Sequence, residues 1–277
     1  MRTALTIAGS DCSGGAGIQA DIKTFSAHGV FGMSVVTSVV AENTFEVVDF
    51  QDLRVDIIEK QIDAVFDDIP PGAVKIGMLS SAAIMEAVAA RLSRFKARNV
   101  VVDPVMYAKN GSALMDPSAV GALLSRIAPL ADVVTPNIPE AEKMAGMEIK
   151  NINDMREAAG RIFCAGCRAV VVKGGHGEGF AFGEGNATDV LFDGNDFFEF
   201  SAPRINSTRT HGTGCTFSSS IAAYLALGLA LPEAVEKAKA YVRAAIEAAP
   251  SLGRGSGPTN HFNKKSEIFL TGGKNGR

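Results

Sequence analysis

Near the end of the chain, the run Thr210-His211-Gly212-Thr213-Gly214-Cys215-Thr216 sets glycines, hydroxyls and a thiol just ahead of the small-residue stretch 218–224. The glycines free the backbone where a helix is predicted to begin. A helix start presents unpaired N–H groups and the positive end of the helix dipole. Gly212, Thr213 and Gly214 are therefore a candidate anion hole. Cys215 falls at the same end, where a thiolate is favoured electrostatically. The plainer reading is a glycine turn into a buried helix, with Cys215 as a small apolar filler.

Other groups with chemistry follow apolar segments. Asp103 and Glu140 each stand beside a proline after a strand-like run, and Lys173 ends another. Phosphoryl transfer needs Mg²⁺ held by one or two carboxylates, with a cation near the phosphates. Asp103 and Glu140 are the candidate metal ligands, and Lys173 the phosphate contact. Their plainer roles are turn formation for Asp103, helix capping for Glu140 and a strand-end lysine reaching water for Lys173.

These residues need a frame. Strands are predicted at 4–8, 34–41, 73–76, 99–102, 132–135 and 168–172, as Val- and Ile-rich runs without clean alternation. That pattern marks strands covered on both faces, as in parallel sheets. Amphipathic stripes between them (Ile18, Ile22, Phe25; Val55, Ile58, Ile62, Val65; Ile84, Val88, Leu92, Phe95; Val120, Leu123, Leu124, Ile127) predict helices. The repeated unit implies right-handed crossovers and an α/β, three-layer, doubly wound, mostly parallel sheet. Short antiparallel strands are predicted at 180–182, 187–192 and 197–201, and two helices close the chain. One domain spanning 1–263 with a polar tail at 264–277 is the economical organisation. Ligands in such sheets bind beyond the carboxyl ends of the strands, where this chain places Gly, Asp, Glu, Asn and Lys.

Composition narrows the classes. The 277 residues are 47% hydrophobic with net charge −3, no Trp and three Tyr, which argues against nucleic acid as a partner. The N-terminus runs directly into a strand, so no signal peptide is expected, and no apolar run is long enough to span a membrane. Four cysteines suit a reducing, cytoplasmic setting; Cys164 and Cys167 form a C-x-x-C with no second ligand pair and read as buried thiols within a helix leading to a strand. Gly15-Ala16-Gly17-Ile18-Gln19-Ala20 matches a dinucleotide fingerprint, with Glu42 as a ribose-binding acid, but it stands too far from its strand. A P-loop is absent from the sequence.

Residues 4–25 (ALTIAGSDCSGGAGIQADIKTF) resemble the opening of the hydroxymethylpyrimidine and phosphomethylpyrimidine kinases of thiamine biosynthesis, within the ribokinase-like superfamily. The resemblance continues through Gly32-Met33-Ser34, Lys75-Ile76-Gly77-Met78-Leu79, residues 101–106 and 135–142, Val172-Lys173-Gly174-Gly175-His176 and the cysteine motif. It runs on to Gly257-Pro258 and His261-Phe262. It implies ATP- and Mg²⁺-dependent phosphorylation of 4-amino-5-hydroxymethyl-2-methylpyrimidine and then of its monophosphate, in a homodimer. On that likeness Cys215 is the catalytic base. Asn137 and Glu140 organise metal and phosphate, Lys173 contacts phosphate, and Gly9, Asp21, Met78 and Val105 belong to the acceptor pocket. Residues 107–114 form a candidate cover over the site.

One position departs. Where the family's pattern has Gln, this chain has Glu42. An amide both donates and accepts, whereas a carboxylate only accepts and repels a ring-nitrogen lone pair. A proton on Glu42 or on the ring removes the conflict, so acceptor affinity should depend on pH; the other outcome is a pyridoxine-type acceptor. Two further readings stand beside the kinase one: a pyridoxal kinase of the same superfamily, and a non-catalytic pyrimidine-binding regulator.

Overall fold

The computed structural model describes residues 1–108, 111–175 and 185–262. The chain enters the centre of the molecule with β1 (Thr3–Ala8), crosses through α1 (Gly17–Ala27) and returns as β2 (Phe31–Val36), parallel to β1. After β3 (Ser38–Glu42), β4 (Val47–Asp52) and α2 (Val55–Asp68), β5 (Ala73–Ile76) pairs with the other edge of β1. The reversal of direction at β1 opens a crevice at the strand ends. Helix α3 (Ala82–Phe95) and β6 (Val100–Val102) follow. A mixed helical stretch then centres on α4 (Val120–Ala122), with a π-helical turn at Leu123–Ile127 and 3₁₀ turns at Pro117–Ala119 and Ala128–Leu130. Pro117 and Pro129 interrupt regular α-helix here, although Leu123 and Ile127 are buried as their spacing predicts.

The sheet continues through β7 (Val133–Val134), α5 (Ile138–Ala145), α6 (Ile152–Phe163) and β8 (Val170–Val172), then turns antiparallel at β9 (Asn186–Phe192) and β10 (Phe197–Pro203). Helices α7 (Thr213–Leu227) and α8 (Leu231–Glu247) complete it. The order is β10-β9-β8-β7-β6-β5-β1-β2.

The unbroken apolar strands are explained by two cores. Leu5, Ile7, Val100, Val102, Val170 and Val172 face the layer of α2, α3, α5 and α6. Ala4, Val101, Val133 and Val171 face α1, α7 and α8 with Phe25 and Ile221. Alternate side chains serve opposite layers, so nearly every position is apolar, Thr6 and Lys75 being buried exceptions.

Three expectations need correction. The single strand at 34–41 is two strands divided at Thr37. This buried residue donates its N–H to the Ala8 carbonyl and its hydroxyl to that of Met78. Beyond it β3 leaves the main sheet and pairs with β4 as a separate two-stranded sheet. β4 has no counterpart among the predicted strands because five of its six residues are exposed, which removes the apolar signal. Cys164 and Cys167 do not lie within a helix: α6 ends at Phe163. Cys164 is exposed at its C-cap, and Cys167 is buried beyond Gly166, with burial pushing its thiol to about 11. The strand expected at 180–182 and the tail at 264–277 lie outside the described residues.

Candidate active site

Helix α7 begins as its glycines require. Gly212 is its N-cap with φ +77°, and a Cβ there would lie 1.8 Å from the Gly15 carbonyl oxygen. Only glycine accepts both the left-handed conformation and that approach. The turn thus rests directly on the loop after β1, with its first amides facing a cleft. Despite its polar sequence, α7 is buried. Ser218 bonds back to the carbonyls of Gly214 and Cys215, Ser219 to Asp21 and Ser220 to His28.

The cleft, of about 420 Å³, is lined by Gly9, Glu42, Met78, Asp103, Val105, Asn137, Glu140, Lys173, Gly212, Thr213, Gly214 and Cys215. Twelve of the thirteen residues singled out from the sequence meet there. The exception is Asp21, fully buried behind the wall. Its carboxylate takes both oxygens' worth of bonding from Lys75 at 2.8 and 2.9 Å, plus hydroxyls of Thr6 and Ser219 at 2.6 Å each. Asp21 is a tether for Lys75, which does line the cleft. Burial opposes the Lys75 charge, but Asp21 overrides it and raises the ammonium above its ordinary value. A lysine between apolar residues of a buried strand was itself a signal, because such a charge demands a partner.

Beside the start of α7, Lys173 Nζ lies 2.7 Å from Asp103 Oδ1. Gly214 packs against this pair; a Cβ there would be 3.4 Å from Asp103 Oδ2 and 3.5 Å from Lys173 Nζ. Asn137 and Glu140 form a reciprocal capping box on α5. Glu140 Oε2 accepts the Asn137 N–H at 2.8 Å, and Asn137 Oδ1 accepts that of Glu140 at 3.0 Å. The capping role is therefore real, and it fixes Glu140 against the cleft. Burial pushes Glu140 up to about 7; Lys173 opposes this and Asp103 adds to it. Two buried carboxylates whose repulsion a cation would relieve are a donor set that suits Mg²⁺.

Cys215 does not meet the expectation of a resting thiolate. Burial pushes its thiol to about 12, against the opposing charge of Lys75. The helix end is too weak to offset removal from water.

Apolar walls of the cleft come from Val40, Met78, Val105 and Leu114, with the exposed Tyr107 also lining it. The proposed cover begins as a hairpin, with Tyr107 bridged to Ala113 and its hydroxyl accepting from Lys143; Lys109 and Asn110 lie outside the described residues. Glu42 reaches the cleft from β3, and burial together with the Asp11 charge pushes it up to about 7, with His211 opposing. Asp11 and His211 gave no role in the sequence; only the fold joins them.

A second cavity, of about 650 Å³, lies on the far side of the turn, between β9, β10, α7 and α8. Phe217, Val242 and Ile246 give it an apolar side, and Lys239 and Arg243 a basic one. It shares Lys173, Thr210, Thr213 and Gly214 with the first.

A three-layer, mostly parallel sheet of this order places the chain among the ribokinase-like kinases. Within that class the chain belongs to the phosphomethylpyrimidine kinase family, whose model matches residues 11–260. It is 46% identical over 97% of both chains to the hydroxymethylpyrimidine/phosphomethylpyrimidine kinase of Bacillus subtilis. It is also 52% identical to the thiamine biosynthesis bifunctional protein ThiED of Geobacter sulfurreducens, covering 93% of this chain but only about half (52%) of that longer protein. Among solved structures, a Bacillus subtilis pyridoxal kinase in complex with ADP superposes with a TM-score of 0.88 at 40% identity, covering 96% of this chain and 99% of that one. The phosphomethylpyrimidine kinase of Clostridium difficile gives 0.77 at 46% identity, covering 88% and 98%.

Proposed function

We propose that this chain transfers the γ-phosphoryl group of ATP to the hydroxymethyl group of 4-amino-5-hydroxymethyl-2-methylpyrimidine, and then to the resulting monophosphate. The observation that carries this reading is the meeting of the two cavities at residues 210–214. A nucleotide in the larger cavity and an acceptor in the smaller would place phosphate between them, on the Gly212–Gly214 amides and beside Lys173. Asp103 and Glu140 would hold Mg²⁺, which when bound neutralises charge developing on the transferred group.

Cys215 receives the proton of the acceptor hydroxyl. At rest the thiol keeps its own proton, so the base is drawn from a small thiolate population stabilised by Lys75 and the start of α7. Val105, Met78 and Val40 flank the ring, and Glu42 meets its polar edge. The ADP complex of a related kinase and the capacity of the second cavity support ATP as donor.

ADP release measured across aminopyrimidine alcohols, pyridoxine-type alcohols and their monophosphates tests the reading. Turnover favouring the aminopyrimidines supports it. Preference for pyridoxal or pyridoxine, the second reading favoured by the 0.88 superposition, would replace it. No ADP with any heterocycle would leave the regulator.

We read 1–263 as one domain working in the cytoplasm, where the free thiols of Cys12, Cys164, Cys167 and Cys215 stay reduced. Among the described residues no helix is long and apolar enough to cross a membrane. Exposed Phe31, Val39, Val48 and Phe50 on β2 and the β3–β4 sheet support a homodimer, which sedimentation at micromolar concentration would reveal or refute.

A further inference from the structure

Glu42, His211 and Asp11 come together from three separate parts of the chain. One carboxylate oxygen of each acid and one ring nitrogen of His211 lie within 4.8 Å of one another. Asp11 acts only as an acceptor. Oδ1 takes the Ser13 N–H at 2.7 Å, and Oδ2 takes those of Gly15 and Ala16 at 2.9 and 2.7 Å. It carries no proton to give, so the 2.9 Å contact with His211 Nε2 has the imidazole as donor. That fixes the proton on Nε2 and leaves the other ring nitrogen to hold or release a second one.

The imidazole is also held mechanically. The His211 N–H donates to the Gly257 carbonyl, and a Cβ on Gly15 would strike His211 Cδ2 at 2.3 Å. Glu42 is aimed by a bulge between Ala41 and Glu42, and its backbone is pinned on both sides by the Cys12 thiol. His211 and Glu42 both border the acceptor cleft and a smaller recess of about 200 Å³ beside it. Other titratable groups on these walls are Cys12 on the β1 loop, Glu46 on the β3–β4 turn and Tyr107 in the hairpin after β6. Deeper in the cleft lie Lys75, Asp103, Glu140, Lys173 and Cys215.

We propose that His211, locked by Asp11, is a positioning residue that shares one proton with Glu42 and so sets what the acceptor pocket presents. With the proton on Glu42, the side chain both donates and accepts. It then matches an amidine edge, meaning an exocyclic amino group beside a ring nitrogen. With the proton on His211, the bare carboxylate suits only a heterocycle that carries the proton itself. The pocket therefore selects basic aminoheterocycles in either state, and a ring lacking the amino group loses one of two bonds. This selection rests on the acceptor reading above; the proton sharing does not. The rise of the Glu42 carboxyl toward neutrality agrees with such sharing.

The test is the carboxyl ¹³C titration of Glu42 in ligand-free full-length protein labelled at glutamate, with Glu42→Gln assigning the signal. Removing the His211 ring (His211→Gln) should raise the midpoint by about one pH unit, and removing the Asp11 charge (Asp11→Asn) should lower it by a similar amount. A purely structural role for either residue would not produce shifts of opposite sign. Circular dichroism establishes that each variant is folded, and if one is not, the other still decides the sign. Midpoints unmoved, or moved in the same direction by both, overturn the proposal. Failure of the acceptor reading is distinguishable: aminopyrimidine alcohols would give no ADP while the Glu42 titration still answered to His211.

Discussion

Lys75 is gripped by both carboxylate oxygens of Asp21, at 2.8 and 2.9 Å, and neither side chain has any exposed surface. The pair ties strand β5 to helix α1 and holds a positive charge behind Cys215. Lys75→Met strands a buried carboxylate and should cost about 3–5 kcal/mol in urea unfolding. Lys75→Met combined with Asp21→Leu should recover much of that stability but not the activity. A double variant with full turnover would mean that the cation has no part in the reaction.

Cys215→Ala removes the proposed proton acceptor without disturbing the Gly212 turn. The expected result is a kcat lower by ~10²–10⁴-fold with a much smaller change in KM, as for a group acting in the transition state. Steady-state ADP release gives both constants. Undiminished kcat would return Cys215 to a packing role.

Glu42 supplies a stability prediction with a definite sign. Its carboxyl is raised from 4.5 to about 7 in the folded chain, so the native state holds a proton that the unfolded chain releases between those values. The contribution is complete below pH 4.5 and is lost as pH rises through 7. Buried His28 and His261, both lowered by burial to about 4, act in the opposite sense over much of the same range and flatten the wild-type curve. Comparison with Glu42→Gln cancels them. The variant should gain on wild type by about 1.4 kcal/mol per pH unit between pH 5 and 7, to a limit near ~3 kcal/mol. Parallel melting curves would show that Glu42 ionises normally.

Gly212→Ala places a side chain where the backbone has φ +77° and the Gly15 oxygen is 1.8 Å away. Strain of about 1–3 kcal/mol is expected, and the turn must move off the β1 loop. Loss of aligned amides should lower kcat by at least ~10²-fold. A variant with wild-type kcat would place the phosphate elsewhere.

What the sequence made legible follows from which interactions are local. The Gly212–Cys215 turn, the Asn137–Glu140 cap and the doubly covered strands depend on neighbours within one element, and their spacing announces them. Asp103 and Lys173 could be placed because strand ends converge in a doubly wound sheet. Asp21 was misplaced because its partner, Lys75, lies 54 residues away. The Asp11–His211 contact spans 200 residues. The partial desolvation of Cys215 in the cleft was equally hidden, since the helix dipole is local whereas desolvation is set by the whole fold. β4 escaped because an exposed strand carries no apolar rhythm.

The β3–β4 ribbon stands outside the main sheet yet supplies Val40 and Glu42 to the first cleft, while the turn proposed to hold phosphate belongs to α7 in the interior. On the proposed function, recognition of the acceptor is thus mounted partly on a peripheral ribbon, and the transfer chemistry on the elements of the main sheet and α7. Substitutions on such a ribbon disturb few core contacts. If those roles hold, the choice of acceptor can be altered at a ribbon edge without touching the residues that would move phosphate.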